Sequence, residues 1–145
     1  MKVVIQRVKN ASVKINNEIY SSINQGFLVY LGVHHDDTLE DVIKYATKVS
    51  NLRVFEDNDG KMNLSLKDIK GEILVVSQFT LYGNAKKGNR PSFIEAARPE
   101  HATKLYEAFI EHLNKDFNVK TGVFGANMEV SSINDGPVTI IIDNL

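Results

Sequence analysis

Residues 26–33 read GFLVYLGV, eight positions without a charge and the longest apolar run in the chain. Such a run is too short to cross a bilayer and has the length of a strand buried at the centre of a sheet. Upstream, KVVIQRV (2–8) and ASVKIN (11–16) read as strands, the second alternating apolar and polar residues, and Asn16-Asn17 reads as a turn into EIYSSI (18–23). Downstream the period becomes helical from Thr38, with Leu39, Val42, Ile43, Ala46 and Val49 on one face and Thr38 and Asp41 spaced for a capping box. NLRVFED (51–57) is a strand end and DNDG (57–60) a turn. A strand carrying ILVVSQFTLYG (73–83) follows, then a short helix over RPSFIEAA (90–97) with Pro91 in its first turn. A longer helix starts near Pro99, burying Ala102, Leu105, Phe109 and Leu113 and exposing Glu107, Glu111 and Lys115. VKTGVF (119–124), MEVSSIN (128–134) and VTIIID (138–143) are strands, the last two joined by a turn at Asp135-Gly136-Pro137. This order predicts an α/β fold with a mixed, strongly curved, barrel-like sheet and a few packed helices, in one domain over residues 1–145.

The bulk composition narrows the function classes. The chain has 145 residues, 43% hydrophobic and 24% charged, which excludes disordered and fibrous classes. It has no cysteine, so disulfides, thiolate nucleophiles and Cys-ligated zinc are excluded together. Gln6 and Arg7 interrupt the first apolar residues too early for a signal peptide, and a cytosolic, non-membrane protein is expected. With 17 basic against 18 acidic residues there is no global field for nucleic acid. A local patch, Lys86, Lys87 and Arg90 in KKGNR with Arg98 a little further on, reads either as a solvated loop or, at Lys86, Lys87 and Arg90, as an RNA-backbone contact.

The familiar catalytic constellations are missing. None of the four histidines stands in a Gly-x-Ser-x-Gly or His-Glu-x-x-His context, and no glycines have nucleotide-loop spacing. His34 and His35 precede Asp36 and Asp37, but adjacent residues of an extended segment point to opposite faces; the reading is a strand-to-helix loop, with no metal and no cofactor. What stands out is Ser77, Gln78, Phe79 and Thr80 at the end of a buried strand, where alternation puts Ser77 and Phe79 on one face and Gln78 and Thr80 on the other. Thr80 is a candidate nucleophile without an adjacent base, or simply a strand residue. The second marked stretch, NDGPVT (134–139), is either an ordinary hairpin or a cis Gly136-Pro137 corner.

Those two motifs together, within a frame of VVIQRV, LRVFED, GKMN, LVVSQFTLYG, RPSF and FGANMEV, resemble the D-aminoacyl-tRNA deacylases over nearly the whole chain. The resemblance implies a homodimeric hydrolase, its active site at the subunit interface, that cleaves the ester between a D-amino acid, or glycine, and the terminal adenosine of tRNA. Carried over residue by residue, Ser77, Gln78, Phe79 and Thr80 form the catalytic pocket. Gly136 and Pro137 enter the partner's pocket as a cis pair held by Arg7, and Phe124, Gly125 and Met128 receive the adenine. DNA is not expected as a partner. A non-catalytic module gripping the terminal adenosine and a general small esterase are the alternatives.

Overall fold

A computed structural model describes residues 1–145. Its centre is β3 (Gly26–Gly32), buried at every position except a half-exposed Tyr30. That is what GFLVYLGV requires, since both faces of the strand must be covered. β3 pairs antiparallel with the first half of the 14-residue β1 (Lys2–Ile15) and parallel with β6 (Glu72–Ser77), which in turn pairs parallel with β7 (Val119–Thr121). The second half of β1 turns away to pair with β2 (Glu18–Ile23) through the two-residue turn Asn16-Asn17. Both asparagines have positive φ, 50° and 64°, as a tight primed turn demands. One long strand shared between β3 and β2 is what curls this mixed sheet toward a barrel.

The 15-residue β8 (Glu129–Asp143) runs antiparallel along nearly all of β1. The expected hairpin at Asp135-Gly136-Pro137 is therefore absent. Residues 128–143 do not fold back on themselves, because β1 offers a partner edge long enough for the whole segment. The extra residues are taken up as register irregularities between Gln6 and Val8 and between Val8 and Asn10. For the same reason KVVIQRV and ASVKIN are one strand.

Two helices cover one face. In α1 (Leu39–Asn51) the capping box forms as expected: Thr38 Oγ1 accepts from the Asp41 amide, and the Asp41 carboxylate accepts from the Thr38 amide. The buried stripe is Val42, Tyr45, Ala46 and Val49, so Leu39 and Ile43, expected inside, face solvent. The helix is rotated so that Tyr45 reaches the core and its hydroxyl accepts from the Leu145 amide. α2 (Pro99–Asn114) buries Ala102, Leu105, Tyr106, Phe109 and Leu113, as its spacing predicted, with Tyr106 added. Their apolar faces meet Val3, Ile5, Phe27, Val29, Leu31, Ile73 and Val75 in the main core. The opposite pleats, with Leu28, Leu74 and Val76, pack against Val8, Ala11, Val13 and Ile23 inside the curl. A two-stranded ribbon of β4 (Phe55–Glu56) and β5 (Met62–Leu64) closes around a turn in which Asp57 Oδ1 accepts from the Asp59 and Lys61 amides. No helix is long and apolar enough to cross a membrane.

Candidate active site

β6 delivers the polar motif, but the strand ends at Ser77. The Gln78 amide still donates to Leu31 O at 2.8 Å, and Phe79–Tyr82 then wind into a single 3₁₀ turn closed by Leu81 N–H to Gln78 O and Gly83 N–H to Thr80 O. The face alternation expected from Ser77 to Thr80 accordingly stops after Ser77. The Gln78 amide group donates to Thr80 Oγ1 across the turn. The first N–H groups of such a turn have no partner inside it, which makes the amides of Phe79 and Thr80 main-chain donors at the end of a strand buried over its four central residues.

A cleft of about 590 Å³ opens beside this turn. Ser77, Gln78 and Phe79 line it on one side, Ala96, Ala97, Arg98, Pro99 and Ala102 at the start of α2, and Phe124 to Met128 between β7 and β8. Thr80 is exposed and lies outside this lining. Phe79 meets Phe93 edge-on, centroids 5.2 Å apart. The Phe124–Met128 wall is built by glycines: Gly125 takes φ 78° in the turn where the Ala126 amide donates to Val123 O. A Cβ at Gly122 would run into Met128 Sδ. Phe124 packs against Tyr106, whose hydroxyl donates to Val75 O and is pushed up to about 12 by burial. Of the 17 residues lining the cleft, Arg98 alone ionises.

Arg7, Gly136 and Pro137 form a second group, outside the cleft lining of their own chain. Arg7 is buried, its Nη1 donating to Val54 O at 2.7 Å and its Nε to Asp135 O at 3.3 Å, with Asp135 Oδ2 at 3.4 Å. Asn134 Nδ2 donates both to Arg7 O and to Val138 O, pinning the corner on either side of the bend. The Gly136–Pro137 peptide bond is cis. Gly136 has φ 119°, and a Cβ there would sit 3.0 Å from Arg7 Nη2, so only glycine fits.

The basic residues Lys86, Lys87 and Arg90 are exposed in a loop closed by reciprocal amide–carbonyl bonds between Asn84 and Ser92. The short helix expected over residues 90–97 does not form, because this segment pairs instead in isolated bridges, Asn84 with Ser92 and His34 with Ala96. His34 and His35 do not point apart as expected: their rings lie 4.1 Å apart, since the loop after β3 is not extended. With Asp36 they offer ligand atoms within 4.8 Å of one another, but His34 Nδ1 is already occupied in accepting the Asp36 amide. His101 is half-buried with Nε2 2.8 Å from Asp37 O.

The family model for D-Tyr-tRNA(Tyr) deacylase matches residues 4–143. The chain belongs to that deacylase family. It is 57% identical over 144 residues to a D-aminoacyl-tRNA deacylase of Lactobacillus gasseri, covering 99% of both chains. It is likewise 57% identical over 145 residues to one of Fusobacterium nucleatum subsp. nucleatum, covering 99% of this chain and 95% of the relative. Among solved structures, c-Myc DNA Unwinding Element Binding Protein superposes with TM-score 0.94 at 44% identity, over 100% of this chain and 99% of the other. A probable eukaryotic D-amino acid tRNA deacylase superposes with TM-score 0.85 at 20% identity, over 99% and 98%, a likeness of fold. The hydrolase class and barrel-like α/β fold expected from the sequence both hold. Within this deacylase chain, the sequence shows neither Asn134 and Asp135 as the braces of Arg7 nor Phe93 as a cleft residue, and it sets Arg98 beside the basic patch where the fold puts it in the cleft. Only proximity across the fold reveals the first pair; the small Ala96-Ala97 beside Arg98 was the one local sign of an opening.

Proposed function

We propose that this chain hydrolyses the ester linking a D-amino acid, or glycine, to the terminal adenosine of tRNA. Water adds to the ester carbonyl, the bond to the ribose oxygen breaks, and that oxygen takes the proton, leaving free amino acid and tRNA. The observation that carries this reading is a cleft, in a member of the deacylase family, whose lining holds no Asp, Glu, His, Lys or Cys. An aminoacyl ester is already activated, and its neighbouring ribose hydroxyl can assist water. Positioning and main-chain stabilisation of the developing oxyanion therefore suffice. The Phe79 and Thr80 amides are the donors, Ser77 and Gln78 position the ester, and Thr80, outside the cleft lining, orients substrate through its bond with the Gln78 side chain without serving as nucleophile. Phe124, Gly125 and Met128 hold the adenine.

Chiral selection rests on the Gly136–Pro137 corner of a second copy. That corner is exposed, braced by buried Arg7 and outside its own chain's cleft, all of which favours action across a two-fold interface. A fixed backbone against the α-carbon leaves room for a D side chain and clashes with an L one, and glycine offers nothing to exclude. Lys86, Lys87 and Arg90 meet tRNA phosphates. The 145 residues work as one catalytic domain in the cytoplasm.

The test is release of tyrosine from D-tyrosyl-tRNA beside an L-tyrosyl control. Fast release from the D ester alone is expected. Equal rates would remove chiral selection, and binding without release would leave only an adenosine-gripping module. Cleavage of simple esters lacking RNA would instead point to a general esterase.

A further inference from the structure

We infer that Arg98 is the phosphate-recognition residue of the cleft, binding the 5′-phosphate of the terminal adenosine and so restricting the enzyme to esters carried on a nucleotide. The inference rests on the deacylase reading and adds a specificity residue to it. Arg98 is the single ionised side chain lining the cleft. Each of the chain's six ion pairs is made by other residues, so its charge is not spent on a neighbouring carboxylate. It is also misplaced by local rules. Arg98 is the N-cap of α2, with φ −65° and ψ 155°, and makes no side-chain capping bond. Ser, Thr, Asp or Asn would satisfy the helix there, and a cation beside a helix N-terminus is unfavourable. Breaches of local preference of this kind collect at functional sites.

The substrate's chemistry selects the ligand. Its amino acid carries an ammonium, which a guanidinium repels, and its ester and adenine are neutral. The only anion on the terminal nucleotide is the phosphate, which the planar guanidinium fork fits in bidentate fashion. This contact is distant from the reacting carbonyl and equal in ground and transition states, so it acts through KM.

The experiment compares the D-tyrosyl ester of adenosine with that of adenosine 5′-monophosphate, using the full chain and its Arg98→Gln and Arg98→Lys variants. Wild-type enzyme is expected to favour the phosphorylated ester by about 10- to 100-fold in kcat/KM, through KM, as expected for a hydrogen bond to a charged group. In Arg98→Gln that preference falls to about one, and Arg98→Lys restores part of it. The salt dependence of tRNA binding should flatten by about 0.7 in logarithmic slope for the one lost contact. Should Arg98→Gln fail to fold, Arg98→Asn carries the same comparison, since it supplies a preferred cap and should raise Tm by about 2–4 °C. A preference unchanged in the variants, or a loss of equal size on both esters, overturns the phosphate assignment while leaving the deacylase reading intact. Failure of wild-type enzyme on D-tyrosyl-tRNA itself would bring down both.

Discussion

Thr80 and Arg7 show how differently two polar candidate residues can be held. Thr80 is exposed, has only Gln78 as side-chain partner, and lacks any base, so Thr80→Ala is expected to keep single-turnover cleavage of D-tyrosyl-tRNA within about tenfold of wild type, roughly 1.4 kcal/mol. Complete loss with a trapped acyl-enzyme would make it the nucleophile. Arg7 is the reverse case, a buried guanidinium whose bonds go to Val54 O and Asp135. Arg7→Gln strands those acceptors and should lower stability by about 3 kcal/mol in chemical denaturation, with loss of activity. A variant as stable as wild type would show that the corner is braced by Asn134 alone. Gly136→Ala must enter a backbone region closed to alanine and press on Arg7, and about 1–3 kcal/mol of destabilisation is expected. Sequence marked Gly136 and Pro137 as a motif, and Arg7 only through the family resemblance, but not the brace, because Asn134 and Asp135 look like turn residues until β1 is laid beside them.

At the level of elements, local rules were legible wherever the partner lies within a few residues. The Asn16-Asn17 turn, the Thr38–Asp41 box and the α2 stripe are all contacts of short range. The box gives a pH prediction. Backbone and side-chain hydrogen bonds from Thr38 hold the Asp41 carboxyl below its ordinary 3.8. The native value being depressed, the box contributes above about pH 4 and is lost as pH falls through the lower native value. Asp41→Asn should therefore lower Tm at pH 7, by the equivalent of about 0.5–1 kcal/mol for a pair at the surface, and the gap to wild type should narrow as pH falls below the ordinary 3.8. A gap independent of pH would mean that the ionised carboxylate is not what matters. Elements were misread where a distant strand decided. The 3₁₀ turn after Ser77, the missing helix at 90–97 and the uninterrupted β8 each follow from which edge was available, a quantity no local window contains.

For the whole molecule, the question is what covers β8. It pairs with β1 alone and exposes Ile133 and Ile141, 53% and 67% accessible, along a strand of 15 residues. A long apolar strand with an unpaired edge is a liability unless another surface meets it. In the proposed dimer, Ile141→Glu should shift sedimentation toward monomer and reduce deacylation together; a wild-type chain that sediments as a monomer at assay concentrations would end the two-fold model. By itself the sequence determined the central strand within 26–33, the α2 stripe and the pair of motifs, since hydrophobic period and turn chemistry are properties of neighbouring residues. Only the tertiary structure decided that Ser77–Phe79 and Phe124–Met128 face one cleft, that Arg98 is its lone charge and that Gly136–Pro137 lies outside it. Those facts depend on β1 bending between two partners, and a bend of that kind is fixed by the packing of the whole sheet.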